Sequence, residues 1–232
     1  MKLKIIYEDD NILAIDKSPG LIVFPERKIN ERTLIDYLLE DFPSLKEVGR
    51  APRYGIVHRL DKDTSGILLA AKDEKTLKFL QNQFKERKII KRYLALVAGK
   101  IKENQGKIET LIGRSPKDRR KQKVYLENEP GSRGKREAIT YYKVIERFNN
   151  FTLLEVEPKT GRKHQIRCHL SWLHHPIAGD KLYGFKNQSS PRNLERQFLH
   201  ASYLKLSDRE FNSDLPEDLK EVIKTIKNDN QN

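Results

Sequence analysis

The sequence predicts an α+β fold built on a largely antiparallel sheet. Short apolar runs with strand character outnumber the helical patterns, and they do not alternate strictly with helices as a doubly wound βαβ fold requires. The chain has 232 residues, about one and a half times a ~150-residue domain, so its length predicts a single domain over residues 1–232.

The N-terminal part of the chain predicts a hairpin followed by two capped helices. Residues 5–7 and 12–15 are apolar and flank a short turn rich in Asp and Asn, which is typical of a β-hairpin. Thr33 can cap one helix, and Asp73 can cap a second whose apolar side chains lie three and four positions apart. Both helices are therefore expected to bury one face.

Strand patterns dominate the rest of the chain. Ile166 and Leu170 fit one face of a helix that follows Gly161, and a C-terminal helix begins near Pro216 and ends in a frayed segment at residues 228–232. The runs with strand character are residues 93–98, 107–112, 138–146, 151–157 and 199–206.

The chain is strongly basic, and much of the excess lies in one segment. Lys and Arg number 46 against 33 Asp and Glu, a net charge of +13. Residues 114–136 carry nine basic and three acidic residues, and residues 85–92 form a second basic cluster. A solvated face is the plain interpretation of such a run, but two clusters in a basic chain favour nucleic acid as the partner. The glycine-containing segment 131–136 predicts a mobile loop.

Several classes of protein are excluded by the sequence. The longest unbroken apolar run has six residues (93–98), against roughly 20 needed to span a bilayer. The N-terminus reaches acidic residues before any apolar core of a signal peptide. The single cysteine, Cys168, excludes intrachain disulfides and a cysteine-based zinc cluster. We therefore expect a cytoplasmic protein with no membrane contact.

Residues 55–72 enclose a polar loop between two apolar pieces, 56–57 and 67–71, that read as buried strands. Loops fixed by a rigid scaffold often carry reactive groups, although Asp61 and Asp63 are equally able to serve only as backbone caps. His58 and Arg59 followed by an aspartate resemble a kinase catalytic loop, but Leu60 intervenes and the chain has neither a DFG motif nor a phosphate-binding loop. A nucleotide cofactor is not expected.

Residues 160–170 combine histidines with a cysteine and an arginine. The His and Cys spacings match neither HExxH nor paired CxxC, so no metal site is predicted. His164 and Arg167 lie three apart on the predicted helix, opposite its apolar stripe, which predicts a guanidinium facing polar surroundings. A surface arginine is the plain interpretation, but a fixed arginine also suits a buried carboxylate, because it lowers the carboxyl pKa.

Seven sequence blocks resemble one known family. They occur in that family's order and cover residues 5 to about 206, which a chance match to one motif does not explain. The blocks are LAIDKSPGLIVFP (13–25), HRLDKDTSGIL (58–68), KRYLALVAGK (91–100), LIGR (111–114), KTGRKHQIRCHL (159–170), HPIAGDKLYG (175–184) and LHASYLKL (199–206). On these blocks the chain resembles the RluA-type family of RNA pseudouridine synthases.

The resemblance implies the pseudouridine synthase fold and an isomerisation of uridine in RNA without cofactor or metal. It implies that Asp61 is the catalytic carboxylate and that Arg167 is its ion-pair partner. Tyr93 would stack on the uracil and help to remove the C5 proton, although a tyrosine that starts a strand is also a plain core aromatic. Attack of Asp61 at C1′ and removal of a C2′ hydrogen both remain open.

RNA contact is expected from several cations. By resemblance, Arg59 enters the space that the flipped nucleotide leaves, and extrusion of a base costs a few kcal/mol. The basic segment supplies the other expected contacts, which are Arg114, Arg119, Arg120, Lys121 and Lys123. The expected partner is a tRNA or rRNA stem-loop bound by a monomer. The chain starts directly in the catalytic blocks, without the accessory RNA-binding module of many relatives, which weakly favours a tRNA anticodon arm.

Two departures and two alternatives accompany this interpretation. Phe24 stands where many relatives have His, and Asp16 stands where Asn is common, so substrate fit rather than activity is put in doubt. One alternative is a protein of the same fold that binds RNA without catalysis. The other is a metal-dependent nuclease that uses Asp61 and Asp63 as ligands, and its activity would vanish in EDTA.

Overall fold

The computed structural model describes residues 2–25, 31–188 and 190–229. The chain forms two compact units, the first from residues 1–90 and 201–214 and the second from residues 91–200 and 215–232. Seven strand pairs within these units are antiparallel. The predicted α+β class with a largely antiparallel sheet is therefore confirmed. The expectation of a single domain stays a prediction.

The first unit consists of strands and two α-helices that pack around a shared apolar core. Its elements are β1 (Lys4–Glu8), β2 (Ile12–Lys17), α1 (Leu34–Asp41), a 3-10 helix (Pro43–Glu47), β3 (Ser65–Ala71), α2 (Glu74–Lys85), most of β9 (Leu199–Leu206) and β10 (Arg209–Asn212). All seven residues of β3 are buried, which is typical of a strand covered on both faces. The loop that precedes β3 is therefore attached to the core of this unit.

Local side-chain hydrogen bonds explain the early elements. The Asp9 carboxylate accepts the amide hydrogens of Asn11 and Ile12 at 2.8 and 2.7 Å, which closes the β1–β2 hairpin. Thr33 and Asp36 form a capping box at the start of α1. Asp73 caps α2 by accepting from the Thr76 amide. The predicted hairpin and both predicted caps are confirmed.

The second unit is a sheet with two helices. Its elements are β4 (Ile90–Ala98), β5 (Gln105–Arg114), β6 (Gln122–Tyr125), β7 (Arg136–Arg147), β8 (Phe151–Pro158), α3 (Gln165–Trp172) and α4 (Glu217–Asp229). The strand order in the sheet is β4-β8-β7-β5-β6. The predicted strand regions 93–98, 107–112, 138–146 and 151–157 are found here, and 199–206 is found in β9. The end predicted to fray is helical up to Asp229, and residues 230–232 lie outside the described residues.

Three details differ from the expectations. Residues 56–57 do not form a strand, because Ile56 makes only a single antiparallel bridge, to Ala70. His164 lies before α3 in the left-handed region, with φ of 54°, rather than on the helix. The strand β6 was not predicted, since only two of its four residues are buried and it lies inside the basic segment. Among the described residues, no helix is long and apolar enough to cross a membrane.

Candidate active site

Asp61 lies in the first unit, in the loop that leads into β3. Its carbonyl oxygen accepts the Thr64 amide hydrogen at 3.1 Å, which closes a turn over Lys62 and Asp63. Thr64 and Ser65 are buried, whereas Asp61 is half-buried. The carboxylate is thus carried by a short turn that is fixed at one end by the buried start of a strand.

The Lys17 ammonium group lies beneath this turn. Lys17 is 1% exposed, and its Nζ donates to the carbonyl oxygens of Ser18, Leu21 and Lys62 at 2.8, 2.9 and 3.0 Å. A buried ammonium is tolerated when its hydrogens are all bonded. Because Lys62 directly follows Asp61, Lys17 fixes the peptide next to the candidate catalytic carboxylate.

This role of Lys17 was not predicted from the sequence. The signal was present, because a lysine that ends the mostly apolar strand β2 is an unusual residue at a buried position. What the sequence lacks is the acceptor at Lys62, which lies 45 residues away in the chain.

His58 and Gly66 fix the two ends of the same loop. The His58 Nε2 accepts the Leu69 amide hydrogen at 2.9 Å, and its ring lies 4.8 Å from the ring of Phe84. Gly66 has φ of +112°, and a Cβ there would collide with the Ala201 carbonyl oxygen. The loop therefore requires glycine at this position.

Arg59 lies against the aromatic residue that departs from the family pattern. Its guanidinium lies 5.3 Å from the centre of the Phe24 ring, and that of Arg53 lies 4.9 Å from the same ring. Both distances are within the range of cation–π attraction. Phe24 thus contributes to positioning Arg59, while the insertion of Arg59 into an RNA helix stays a prediction.

Tyr93 is a buried residue of β4 in the second unit, 9% exposed and paired with Val156 of β8. This position is compatible with a core aromatic and with a ring that stacks on a base. Lys91 lies two residues earlier on the same face of the strand, and its burial lowers its pKa well below the ordinary lysine value. The sequence had assigned Lys91 only to a basic cluster.

Arg167 is buried on α3, with 7% exposure. Its Nε donates to Asp180 Oδ2 at 2.7 Å and its Nη2 to Asp180 Oδ1 at 2.9 Å. This is a bidentate arginine–carboxylate pair, the geometry that fixes the plane of the guanidinium. The interpretation of Arg167 as a surface arginine is therefore wrong, since Asp180 supplies the negative charge that permits its burial. The pairing of Arg167 with Asp61 stays a prediction.

Tyr183 covers another side of the arginine. The centre of its ring lies 5.1 Å from the Arg167 guanidinium. Its hydroxyl accepts the Gln122 amide hydrogen at 2.6 Å and lies 3.1 Å from His164 Nδ1. Arg167 is thus fixed by a carboxylate and an aromatic ring that come from one short segment, residues 180–183.

The remaining members of the His and Cys group are structural. The two ring nitrogens of His169 lie 3.0 Å from the Thr110 hydroxyl and 2.8 Å from the Thr140 hydroxyl. Burial lowers the pKa of His169 to about 4 and raises that of the Cys168 thiol to about 12. In the described part of the chain, no three His, Cys, Asp or Glu residues are grouped so as to hold a metal ion.

The predicted RNA contacts of the second unit lie on a hairpin that we call the basic ribbon, residues 114–125. Arg114 ends β5 opposite Gln122 of β6, and Arg119 and Arg120 lie in the connecting turn. Arg120 pairs with Asp118 at 2.8 Å and Lys123 with Glu129 at 2.7 Å. Exposed ion pairs of this kind contribute little to stability, so a phosphate can replace the carboxylate in each.

The basic ribbon packs against the helix that carries Arg167. Val124 of the ribbon is buried in a small apolar cluster with Cys168 of α3 and with Tyr183. Lys121 extends towards the same tyrosine, with Nζ 5.9 Å from the centre of its ring. The ribbon and the guanidinium of Arg167 therefore share one rigid framework within the second unit.

Comparison with known proteins identifies close similarities. The sequence pattern of a family described as RNA pseudouridylate synthase matches residues 11–172. The chain is 42% identical over 194 residues to an uncharacterized RNA pseudouridine synthase of Aquifex aeolicus, covering 83% of this chain and 59% of that protein. It is 40% identical over 238 residues to the ribosomal large subunit pseudouridine synthase D of Nitrosomonas europaea, covering 97% and 66%.

A third relative is covered more fully. An uncharacterized RNA pseudouridine synthase of Bacillus subtilis is 36% identical over 233 residues, covering 98% of this chain and 74% of that protein. The chain thus spans less than two thirds of the Aquifex and Nitrosomonas proteins and about three quarters of the Bacillus protein.

Two solved human structures are also similar to this chain. Human RNA pseudouridylate synthase domain containing 1 superimposes with a TM-score of 0.74 at 29% identity, covering 93% of this chain and 84% of that chain. Human RNA pseudouridylate synthase domain containing 4 has a TM-score of 0.78 at 24% identity, covering 97% and 93%, and shares the fold.

Proposed function

Because this chain belongs to the RNA pseudouridylate synthase family, we propose that it isomerises specific uridines in RNA to pseudouridine. The observation that carries the proposal is the family match over residues 11–172, which includes Asp61, Tyr93 and Arg167. The RluA-type resemblance of the sequence agrees with this membership. In the proposed reaction the N1 glycosidic bond breaks, the uracil turns, and a new bond forms through C5.

The proposed roles follow the family pattern. Asp61 supplies the catalytic carboxylate, which must be ionised near neutral pH in order to attack the ribose or take a proton from it. Arg167 serves as its ion-pair partner and favours the ionised form. Tyr93 stacks on the uracil. The hydrogen bonds from Lys17 and the Thr64 turn support this assignment, because they restrict the backbone on which Asp61 is carried.

RNA binding is assigned to the basic ribbon and Arg59. A stacked uridine cannot present C1′ and C5 to protein side chains, so it must leave the stack at a cost of a few kcal/mol. Phosphate contacts from the basic ribbon offset that cost without reading sequence. The residues that make them are Arg114, Arg119, Arg120, Lys121 and Lys123. The proximity of the ribbon to α3 supports this role, because backbone contacts then lie beside the candidate site residue Arg167.

We propose ribosomal RNA of the large subunit as the substrate to test first. Relatives named ribosomal large subunit pseudouridine synthase D include the Nitrosomonas protein and one of Haemophilus ducreyi that is 36% identical over 245 residues. Transfer RNA is the second substrate to test.

Tritium release tests the proposal. Replacement at C5 liberates tritium from [5-³H]uridine, so RNA labelled in this way reports turnover directly. The protein should release tritium from large-subunit rRNA in the presence of EDTA, and Asp61→Asn should abolish the release. Asp63→Asn, two residues away in the same turn, should remain active.

Two outcomes would contradict the proposal. Cleavage of the RNA that stops in EDTA, and that is lost equally in Asp61→Asn and Asp63→Asn, would favour a metal-dependent nuclease. Tight RNA binding by the wild type without tritium release from either RNA would favour a protein that binds without catalysis.

A further inference from the structure

Asp180 is a fully buried carboxylate whose oxygens are all engaged. Its side chain has 0% exposure. Besides the two hydrogen bonds from Arg167, its Oδ1 accepts the amide hydrogens of Leu182 and Tyr183, each at 2.9 Å. Burial by itself raises the pKa of Asp180, but the hydrogen bonds and charge of Arg167, together with the two amides, outweigh it and lower that pKa. Asp180 is therefore stabilised as the negatively charged partner of Arg167.

The turn at residues 180–183 does not by itself require this charge. An asparagine in place of Asp180 would retain an oxygen to accept both amide hydrogens, and asparagine is common in such turns. Among the described residues, the hydrogen bond of the second carboxylate oxygen is to Arg167, which is also the partner of the negative charge. A buried ion pair also costs desolvation that apolar packing would avoid. The feature that only the pair provides is a fixed orientation of the guanidinium.

The geometry of the pair determines the direction of the rest of Arg167. A guanidinium has five N–H groups in one plane, and Asp180 uses one from Nε and one from Nη2. A two-point contact leaves no rotation in that plane, so the directions of the other three N–H groups are set. The ring of Tyr183, 5.1 Å from the guanidinium, limits its movement out of the plane.

We propose that Asp180 is a positioning residue of the reaction, which acts by fixing the guanidinium of Arg167 in the orientation that the catalytic step needs. The inference rests on the proposed function, since it assigns Asp180 to the same site. Asp180 itself touches neither the RNA nor the reacting atoms. Loss of its charge should therefore slow the catalytic step without weakening RNA binding.

The test compares Asp180→Asn with the wild type and with a matched control. Asp180→Asn retains the acceptor for the Leu182 and Tyr183 amides and removes the charge and one bond to Arg167. The control is Ser171→Ala, which removes the hydrogen bond from Ser171 Oγ to the Tyr183 carbonyl oxygen (2.9 Å) and thus perturbs the same turn from the same helix. Neither substitution replaces Arg167 itself.

Three readouts are taken on each protein: the single-turnover rate of tritium release, the Kd for RNA, and the ¹⁵N–¹H signal of Arg167 Nε, assigned by its loss in Arg167→Lys. Asp180→Asn should lower the rate at least tenfold, leave Kd within about twofold, and broaden or shift the Arg167 signal. Ser171→Ala should retain the rate and the signal.

Several results would overturn the inference. An unchanged rate in Asp180→Asn would show that the charge is dispensable, and a parallel loss of rate, RNA binding and thermal stability would make Asp180 structural. A slower rate with an unchanged Arg167 signal would show that Asp180 does not act through Arg167. If the wild type releases no tritium from either RNA, the proposed function itself fails, and this inference fails with it.

Discussion

Lys17 gives the sharpest prediction about how the candidate active site is built. In Lys17→Met the apolar part of the side chain is kept, but the carbonyl oxygens of Ser18, Leu21 and Lys62 lose their donor. Each acceptor left unpaired in a buried site costs about 1–3 kcal/mol. Water that enters and the relief of burying an ammonium offset part of the sum, so we expect a loss of about 3–5 kcal/mol.

Urea unfolding followed by circular dichroism measures this loss. The matched control is Lys62→Met, which changes the side chain of the same loop and leaves the Lys62 carbonyl in place. The Lys62 ammonium pairs with Glu31 at 2.8 Å on the surface, and an exposed pair contributes at most about 1 kcal/mol. Lys17→Met should therefore be several times more destabilising than Lys62→Met.

Activity provides the second part of this prediction. Without urea, under conditions where Lys17→Met is folded, tritium release should slow while RNA affinity stays near that of the wild type. The reason is that the peptide beside Asp61 has lost its hydrogen bond from Lys17. If Lys17→Met destabilises by less than about 1 kcal/mol, or no more than Lys62→Met, the buried ammonium does not hold this loop and the reasoning is refuted.

Two further predictions concern RNA binding and pH. Replacing Lys121 and Lys123 of the basic ribbon with Ala should weaken RNA binding and flatten its salt dependence by about one unit of log–log slope per lost phosphate contact. The control is a double variant of Lys75 and Lys78, which lie at exposed positions of α2. If both double variants have the same slope as the wild type, the ribbon does not contact RNA. The folded-state pKa of His169, about 4, lies below the unfolded value of about 6.5, so the unfolded chain takes up the proton first as pH falls. The free energy of unfolding should therefore drop by up to about 3 kcal/mol between pH 6.5 and 4. Over that range the urea midpoint of His169→Gln should fall less steeply with pH than that of the wild type. Equal pH dependence of the two midpoints would contradict this prediction.

The sequence predicted best where structure is determined by neighbouring residues. The Asp9 turn, the Thr33 capping box and the Asp73 cap each form between residues within three positions of one another. Their donors and acceptors are therefore visible in a short window of sequence. Most of the strands were predicted for the same reason, because their apolar residues are adjacent or alternate within a short window.

The contacts that shape the candidate site are distant in sequence. Lys17 reaches Lys62, 45 residues away, and Arg167 pairs with Asp180, 13 residues away. No periodic pattern marks either partner. The sequence left Arg167 open between a surface arginine and a fixed one, and the residue that pairs with it in the structure, Asp180, was visible only as part of a family block. Burial of a charge depends on where its counter-charge folds, which the residue type alone does not reveal.

The most direct test of the account is a nucleoside analysis of RNA after incubation with the protein. Large-subunit rRNA transcripts are treated with wild type or with Asp61→Asn, digested to nucleosides and separated by liquid chromatography with mass detection. With the wild type alone, pseudouridine should appear and uridine should fall by the same amount, at constant total mass and RNA length. Unchanged uridine in both large-subunit rRNA and tRNA, or equal conversion by Asp61→Asn, would contradict it.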